Sequence, residues 1–345
     1  EIYAVIATPA RTTGRLPGVL VLHGGGGTCD VAGALRWAER GYLAVAVDLP
    51  SIGNPEKQVH SSGAWKSFAY GVGRFKAAPD VKTGKLFDGV VAGLHGFKLL
   101  QAQPQVNRDR LGIVGISWGG YMTTMLSGLL GDQLRASFSI YGSGFYEKAV
   151  YAKQLNQLTP TERADWVKYM DAGYRAAGIR SRFFFAAASN DIFFFPPAVQ
   201  ATYGQIPGNK NLLFVPNVNH RLKSAKDNLD ASTLEKDWFA VHLQDQGPAF
   251  PQITVTRRGI DRASRDVAFS VVSEQPIIRS QLYWSQEGDW KDRVWTAVDA
   301  REERKGNYTA TLPPEADLNA MAWYALVTDD RNVSVSSLIV GLEEK

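Results

Sequence analysis

The stretch Gly115-Ile116-Ser117-Trp118-Gly119 decides how this chain is read. It is a Gly-x-Ser-x-Gly pentapeptide. An apolar run, Leu111 to Ile116, leads into it, and a helix-like stretch, Tyr121 to Leu130, follows. A serine in this setting can sit on a sharp turn that lifts its hydroxyl clear of a sheet and aims a helix N-terminus at a reacting carbonyl. Strand and helix then pack too closely for side chains at 115 and 119, hence glycine at both. The bare pentapeptide also occurs as an ordinary tight turn. The strand–turn–helix context is what makes Ser117 the candidate nucleophile.

His23-Gly24-Gly25-Gly26-Gly27 follows the apolar run Gly18 to Leu22. It resembles the oxyanion loop of lipases and esterases, which joins a strand to its helix. Glycines let backbone N–H groups turn toward a negative oxygen, with no side chain in the way. The N–H groups of Trp118 and Gly25 are the expected donors, with Gly26 a third candidate. A mobile glycine loop is the competing reading. His23 is better suited to orienting the loop than to moving protons, though it also stands among candidates for lining the substrate site.

An acid and then a histidine should follow the serine in chain order. Asp191 ends Ala188-Ser189-Asn190-Asp191, after the strand-like Arg182 to Ala188. His220 lies in Val218-Asn219-His220-Arg221, after the strand-like Leu212 to Val215. Both fall at C-terminal ends of strands, where α/β sheets carry their chemistry. Asp227 and Asp230 are rivals for the acid, placed in an expected helix from Ser224 to Gln244. His95 and His242 fall in helical patterns and read as structural. His60 sits in a loop near the expected pocket.

Residues 17–246 resemble the α/β-hydrolase superfamily. Gly115 to Thr123 is similar to the elbow of the prolyl oligopeptidase and acylaminoacyl peptidase branch. The run from His23 to Gly27, with Arg40 to Asp48, resembles the acetyl xylan esterase and dienelactone hydrolase branches. Dienelactone hydrolases generally use a cysteine nucleophile, so Ser117 counts against that activity. Oligopeptidase relatives usually carry a large β-propeller before the hydrolase fold, and the short stretch ahead of Val19 leaves no room for one.

The 345 residues, 45% hydrophobic and 21% charged, suffice for one large core and a smaller one. The net charge of +4 is spread along the chain, without the Lys/Arg run a nucleic-acid partner would need. No stretch has the length of a membrane span. The single cysteine, Cys29, excludes an internal disulfide, and no Cys/His cluster has zinc spacing. Neither cofactor nor metal is expected. The start at Glu1 without methionine fits a removed leader and, with it, a secreted or periplasmic setting. Oligomeric state and compartment are left open.

Apolar runs at Val19 to Leu22, Leu43 to Val47, Leu111 to Ile116, Ala136 to Ile140, Arg182 to Ala188 and Leu212 to Val215 alternate with helix-like stretches. The implied class is α/β: a mostly parallel sheet with helices on both faces. Ile2 to Ala7 should add an antiparallel edge strand. Two insertions can shape a substrate rim. Ser51 to Gly84 carries Trp65, Phe68, Tyr70 and Phe75, of which the first three are candidate substrate-lining residues. Tyr146 to Gly178 carries Tyr151, Trp166, Tyr169 and Tyr174 and is helical in period. Packing of these aromatics onto the body is the competing reading.

After Gln246 the period changes to two. Gly247-Pro248-Ala249-Phe250-Pro251 reads as a linker between a catalytic domain, 1–246, and a small immunoglobulin-like β-sandwich, 250–345. Its tryptophans 284, 290, 295 and 323 can stack on sugars or pack internally. The expected function is hydrolysis of short-chain, acetyl-like esters, with carbohydrate as one option for the alcohol part, by a Ser117–His220–Asp191 triad. A serine peptidase of the oligopeptidase branch lacking the propeller is the alternative. A catalytically silent binding protein is a third reading.

Overall fold

The computed structural model describes residues 1–62, 71–255, 261, 263–286 and 288–341. Its centre is a seven-stranded sheet: β1 (Ala4–Ala7), β2 (Leu16–Leu22), β3 (Leu43–Val47), β4 (Val106–Ile116), β5 (Ala136–Ile140), β6 (Arg182–Ala188) and β7 (Lys210–Val215). Strand order is β1-β3-β2-β4-β5-β6-β7, with β1 antiparallel at one edge and all other pairs parallel. Parallel strands need crossovers, and these place helices on both faces. On one face lie α1 (Val31–Glu39) and, late in the chain, α8 (Leu234–Leu243), where Trp37 meets Phe239 edge to face at 5.3 Å. On the other lie α2 (Lys85–Gln101) and α3 (Trp118–Leu130), which touch each other. With both faces covered, the strands read as continuous apolar runs, and Leu43–Val47 is buried throughout.

The insertion after β5 folds as short helices: α4 (Ala152–Leu155), α5 (Pro160–Met170) and α6 (Ala172–Arg175). A capping box between Thr159 and Glu162 starts α5, with Pro160 in its first turn. Trp166 is buried against Phe75, whereas Tyr169 and Tyr174 are exposed. α7 (Pro196–Gln205) then connects β6 to β7.

The expected helix from Ser224 to Gln244 is only half present. Helix α8 begins at Leu234; before it, β8 (Lys223–Ser224) and β9 (Leu229–Asp230) pair as a small hairpin. Asn228 takes the left-handed conformation, φ 46°, which ends any helix there. Lys223 and Asp230 pair across the hairpin at 2.8 Å.

Beyond α8 come two antiparallel sheets. One has the order β10-β11-β15-β14: β10 (Gln252–Thr254), β11 (Asp266–Val272), β15 (Asn307–Thr311) and β14 (Arg301–Arg304). The other has the order β13-β12-β16-β17: β13 (Thr296–Asp299), β12 (Ile277–Gln286), β16 (Met321–Asp329) and β17 (Ser334–Ser336). Leu282, Trp284 and Trp323 pack against Val267 and Ala310 inside this sandwich. Tyr283, Tyr324 and Leu326 face the other way and join the main core, where Tyr324 meets Phe214 of β7. Strand β16 is therefore covered on both faces and buried along its whole length. Trp295 is also fully buried, so packing accounts for tryptophans 284, 295 and 323, and none of the three presents a free face to a sugar. Among the described residues no helix is long and apolar enough to cross a membrane.

Cys29 is buried, and burial pushes its thiol up to about 12, with Asp48 adding to the effect. His242 lies against Trp238, ring centroids 4.1 Å apart. Burial, helped by Arg182 and Arg135, lowers it from 6.5 to about 4. Between those values the unfolded chain binds a proton that the folded chain refuses. The stability His242 confers is thus present above its unfolded value and lost as pH falls toward its folded value. Urea unfolding should show falling stability from about pH 6.5 to about pH 4, and His242→Gln should flatten part of that slope. An unchanged slope in the variant would remove His242 from the account.

Candidate active site

Ser117 is the single residue between β4 and α3, at φ 58° and ψ −119°. Its N–H donates to the Ile140 carbonyl at 2.8 Å, which fastens the turn to the end of β5. A Cβ on Gly115 would lie 2.2 Å from the Gly119 oxygen, and one on Gly119 would lie 2.2 Å from the Leu22 oxygen. Gly120 is equally constrained, 2.4 Å from the Ile140 oxygen, a requirement that the pentapeptide does not announce. The turn also leaves the first N–H groups of α3 without helical partners, open to a negative oxygen.

The glycine loop lies against this turn. A Cβ on Gly24 would come 3.5 Å from Ser117 Cβ, and one on Gly25 would come 2.8 Å from Trp118 Cδ1. Gly25 and Trp118 thus stand side by side next to Ser117. Gly26 does not join them. Its N–H donates to the Ile52 carbonyl at 2.8 Å, so that donor is already committed. His23 is not a lining residue either. It is buried behind the loop, where Nε2 accepts from the Leu49 N–H at 2.9 Å and Nδ1 lies 2.9 Å from the Gly24 carbonyl. Burial holds its pKa below the ordinary value. A neutral ring with Nδ1–H donating satisfies both contacts and orients the loop. Asp48 supports the far side, accepting from the Cys29 N–H at 2.7 Å and from the Thr28 and Ser61 hydroxyls.

Asp191 and His220 meet across the ends of β6 and β7. His220 Nδ1 lies 2.8 Å from Asp191 Oδ2. The other carboxylate oxygen accepts from the N–H groups of Phe193, at 2.8 Å, and Phe194, at 3.0 Å, which fixes its rotation. Asp191 is 1% exposed. The His220 ring is flanked by Tyr141, centroids 4.3 Å apart, and Phe193, 5.1 Å apart. The rival acids are elsewhere engaged: Asp227 accepts from Asn217 and Ser224, and Asp230 pairs with Lys223. His60 lies against Tyr3, ring centroids 4.8 Å apart, and His95 lies within α2.

Ser117, Trp118, Gly25 and His220 line one cleft of about 430 Å³. Gly71, Arg74, Phe75, Tyr151, Gln154 and Phe193 complete its described wall. Arg74 lies over the Trp118 ring, 4.4 Å from its centroid, and its Nε donates to the Ser51 carbonyl. Tyr141, Arg74, Gln154 and Phe193 went unnoticed in the sequence; for Phe193 the signal was present, since it stands two residues after the acid. Trp65, Phe68 and Tyr70 lie outside the described residues. A larger groove, about 560 Å³, runs between α7 and the sandwich past Gln200, Ile253 and Ser336, away from these groups.

With this geometry in place, the likenesses to known proteins are informative. The model of the dienelactone hydrolase family matches residues 2–162, just under half of the chain. A second model, described as PhoPQ-activated pathogenicity-related protein, matches residues 130–292. No curated protein matches. Among solved structures, acetyl xylan esterase 1 from Thermoanaerobacterium sp. JW/SL YS485 is 21% identical with a TM-score of 0.56, over 69% of this chain and 78% of that one. The acetyl xylan esterase from Paenibacillus sp. R4 is 18% identical with a TM-score of 0.56, over 70% of this chain and 80% of that one. The acylaminoacyl peptidase from Pyrococcus horikoshii is 17% identical with a TM-score of 0.53, over 72% of this chain and 40% of that one. Esterases and peptidases thus share one fold with this chain.

The close approach at the turn yields a direct test. Gly115→Ala forces its new methyl group into a backbone carbonyl rather than a flexible side chain. It should destabilise the protein by at least about 1–3 kcal/mol, read as a lower melting temperature or loss of soluble protein. A melting temperature equal to the parent's would show that the turn is looser than described.

Proposed function

We propose that this chain, which has the α/β-hydrolase fold, is a serine carboxylesterase acting on short-chain esters. The observation that carries the reading is the single cleft lined by Ser117, His220, Gly25 and Trp118, with His220 Nδ1 held 2.8 Å from the buried Asp191. Asp191 accepts a hydrogen bond from Nδ1–H, which leaves the Nε2 lone pair to act as base. As Ser117 Oγ attacks the ester carbonyl, Nε2 takes its proton. The N–H groups of Trp118 and Gly25 receive the developing oxyanion; loss of one such donor typically costs about 3–4 kcal/mol in the barrier. The imidazolium then returns the proton to the departing alkoxide. Water, deprotonated by the same nitrogen, releases the acid and restores the serine. Each proton and electron pair is carried by these side chains and water.

The bulky aromatic side chains of Phe75, Trp118, Tyr151 and Phe193 around Ser117 support a small acyl group. An alkoxide leaves more readily than an amide anion, so an ester needs less assistance from the same groups. The carbohydrate extension loses one of its supports, because three of the four sandwich tryptophans are packed. The proposal therefore ends at short-chain esters and leaves the alcohol unspecified.

Ser117→Ala should lower p-nitrophenyl acetate turnover by more than about 10³-fold without loss of fold. A fall of less than about tenfold, only ~1.4 kcal/mol in the barrier, would reject the nucleophile. Asp191→Asn should cost roughly 10²–10⁴-fold. Across a series from acetate to decanoate, kcat/KM should be highest for the shortest chains. Higher kcat/KM on aminoacyl amides than on any ester would replace the esterase reading with the peptidase one.

A further inference from the structure

The loops that carry the acid and the histidine do not stand on the central sheet alone. Ser189 Oγ ties them together: it donates to Asn190 Oδ1 at 2.6 Å and accepts from the Asn217 N–H at 3.0 Å. Asn190 immediately precedes Asp191, and Asn217 is three residues before His220. Both side chains then reach into the sandwich. Asn190 Nδ2 donates to the carbonyls of Trp290, at 3.1 Å, and Arg293, at 2.7 Å. Asn217 Oδ1 accepts from the Trp295 N–H at 2.8 Å, while its Nδ2 donates to the Trp295 carbonyl at 2.8 Å. A carboxamide that both accepts from and donates to one residue's backbone substitutes for a neighbouring strand and fixes orientation as well as distance.

The same asparagine steadies the turn beyond His220, since Nδ2 also reaches Asp227 Oδ2 at 3.1 Å. From the sandwich, Arg279 donates to the carbonyls of Asp227, at 3.1 Å, and Asn228, at 3.0 Å. Asn217 itself sits at φ 56° and His220 at φ 43°, in the left-handed region that asparagine and histidine enter more readily than most residues.

We infer that the 290–295 segment of the sandwich, acting through Asn190 and Asn217, sets the geometry of the Asp191–His220 pair. These are positioning residues; neither lines the cleft. The inference rests on the esterase reading above. A misplacement of about 1 Å in a general base can cost about 10²-fold in rate while leaving substrate binding intact. The sandwich also docks at the opposite end of β7, where Asn211 donates to the Pro251 carbonyl at 2.8 Å and accepts from Gln252 at 2.7 Å. That second amide bridge is a control of matched chemistry, far along the strand from His220.

The test compares full-length Asn217→Gly, Asn190→Ala and Asn211→Ala. Glycine at 217 keeps the backbone conformation available and removes only the amide. With p-nitrophenyl acetate, Asn217→Gly and Asn190→Ala should lower kcat by about 10–100-fold with KM within about twofold. Labelling of Ser117 by a fluorophosphonate should slow in parallel. Asn211→Ala should lower the melting temperature yet keep kcat within about twofold when assayed well below it. The inference is overturned if both cleft-side variants keep the parent kcat, or if Asn211→Ala loses as much. Loss of the folded state in both cleft-side variants, by circular dichroism, also overturns it, because the contacts would then hold up the whole chain rather than two loops. A Ser117→Ala arm separates the two levels. Retained activity there rejects the esterase reading itself; an inactive Ser117→Ala beside fully active Asn190 and Asn217 variants rejects only the positioning role.

Discussion

Everything chemical in this molecule depends on how closely backbones approach at one turn. Where Cβ atoms on Gly115, Gly119 and Gly120 would sit, the carbonyl oxygens of Gly119, Leu22 and Ile140 already lie 2.2 to 2.4 Å away. Those contacts join β4 and α3 to the ends of β2 and β5 at a single point. The result is that Ser117 cannot sit elsewhere, and the start of α3 packs against the loop that leaves β2. Glycine is needed here for space rather than for dihedral freedom, since none of the three has a positive φ.

Much of this was legible because the central sheet is buried on both faces. Strands in that position are predominantly apolar, so Leu43–Val47 and residues 183–188 stand out directly, and Ala136–Ile140 does so despite its two buried serines. Asp191 and His220 were legible for a related reason. They come three and five residues after such runs, and the parallel order brings consecutive strand ends to one edge of the sheet. Hydrophobic pattern gives less at β4, which continues back to Val106 through the polar Asn107-Arg108-Asp109-Arg110.

What stayed hidden was settled by partners distant in sequence. Nothing near Gly26 reveals that Ile52 takes its N–H, or that Leu49 and Gly24 engage both nitrogens of His23. The stretch after His220 looks helical by composition, yet Arg279, some fifty positions further on, captures two carbonyls at the tip of the hairpin. Likewise β16 alternates as a half-exposed strand would at Ala322, Tyr324 and Leu326. Only the docked position of the sandwich explains why Tyr324 and Leu326, which face away from its own core, are buried along with Trp323. Periodicity reports how many faces of an element are covered, not what covers them.

The backbone around the cleft is held in conformations that free chains avoid. Ser117, Tyr141, Asn217 and His220 all have positive φ, and each lies just past the end of β4, β5 or β7. The cost, on the order of 1–3 kcal/mol, falls chiefly on Ser117 and Tyr141, since asparagine and histidine enter this region more readily. For Ser117 and Tyr141 the restraining bonds come from the sheet itself, through Ile140 and Ala186. For the histidine loop the sheet has no further strand to offer, because β7 is its edge. The sandwich fills that place: Ser336 of β17 accepts from the Phe214 N–H of β7, and Trp295 pairs with Asn217. An edge strand that carries the His220 loop needs a neighbour. On this account the second sheet system is the part of the fold that lets the last element of the site be as rigid as the first.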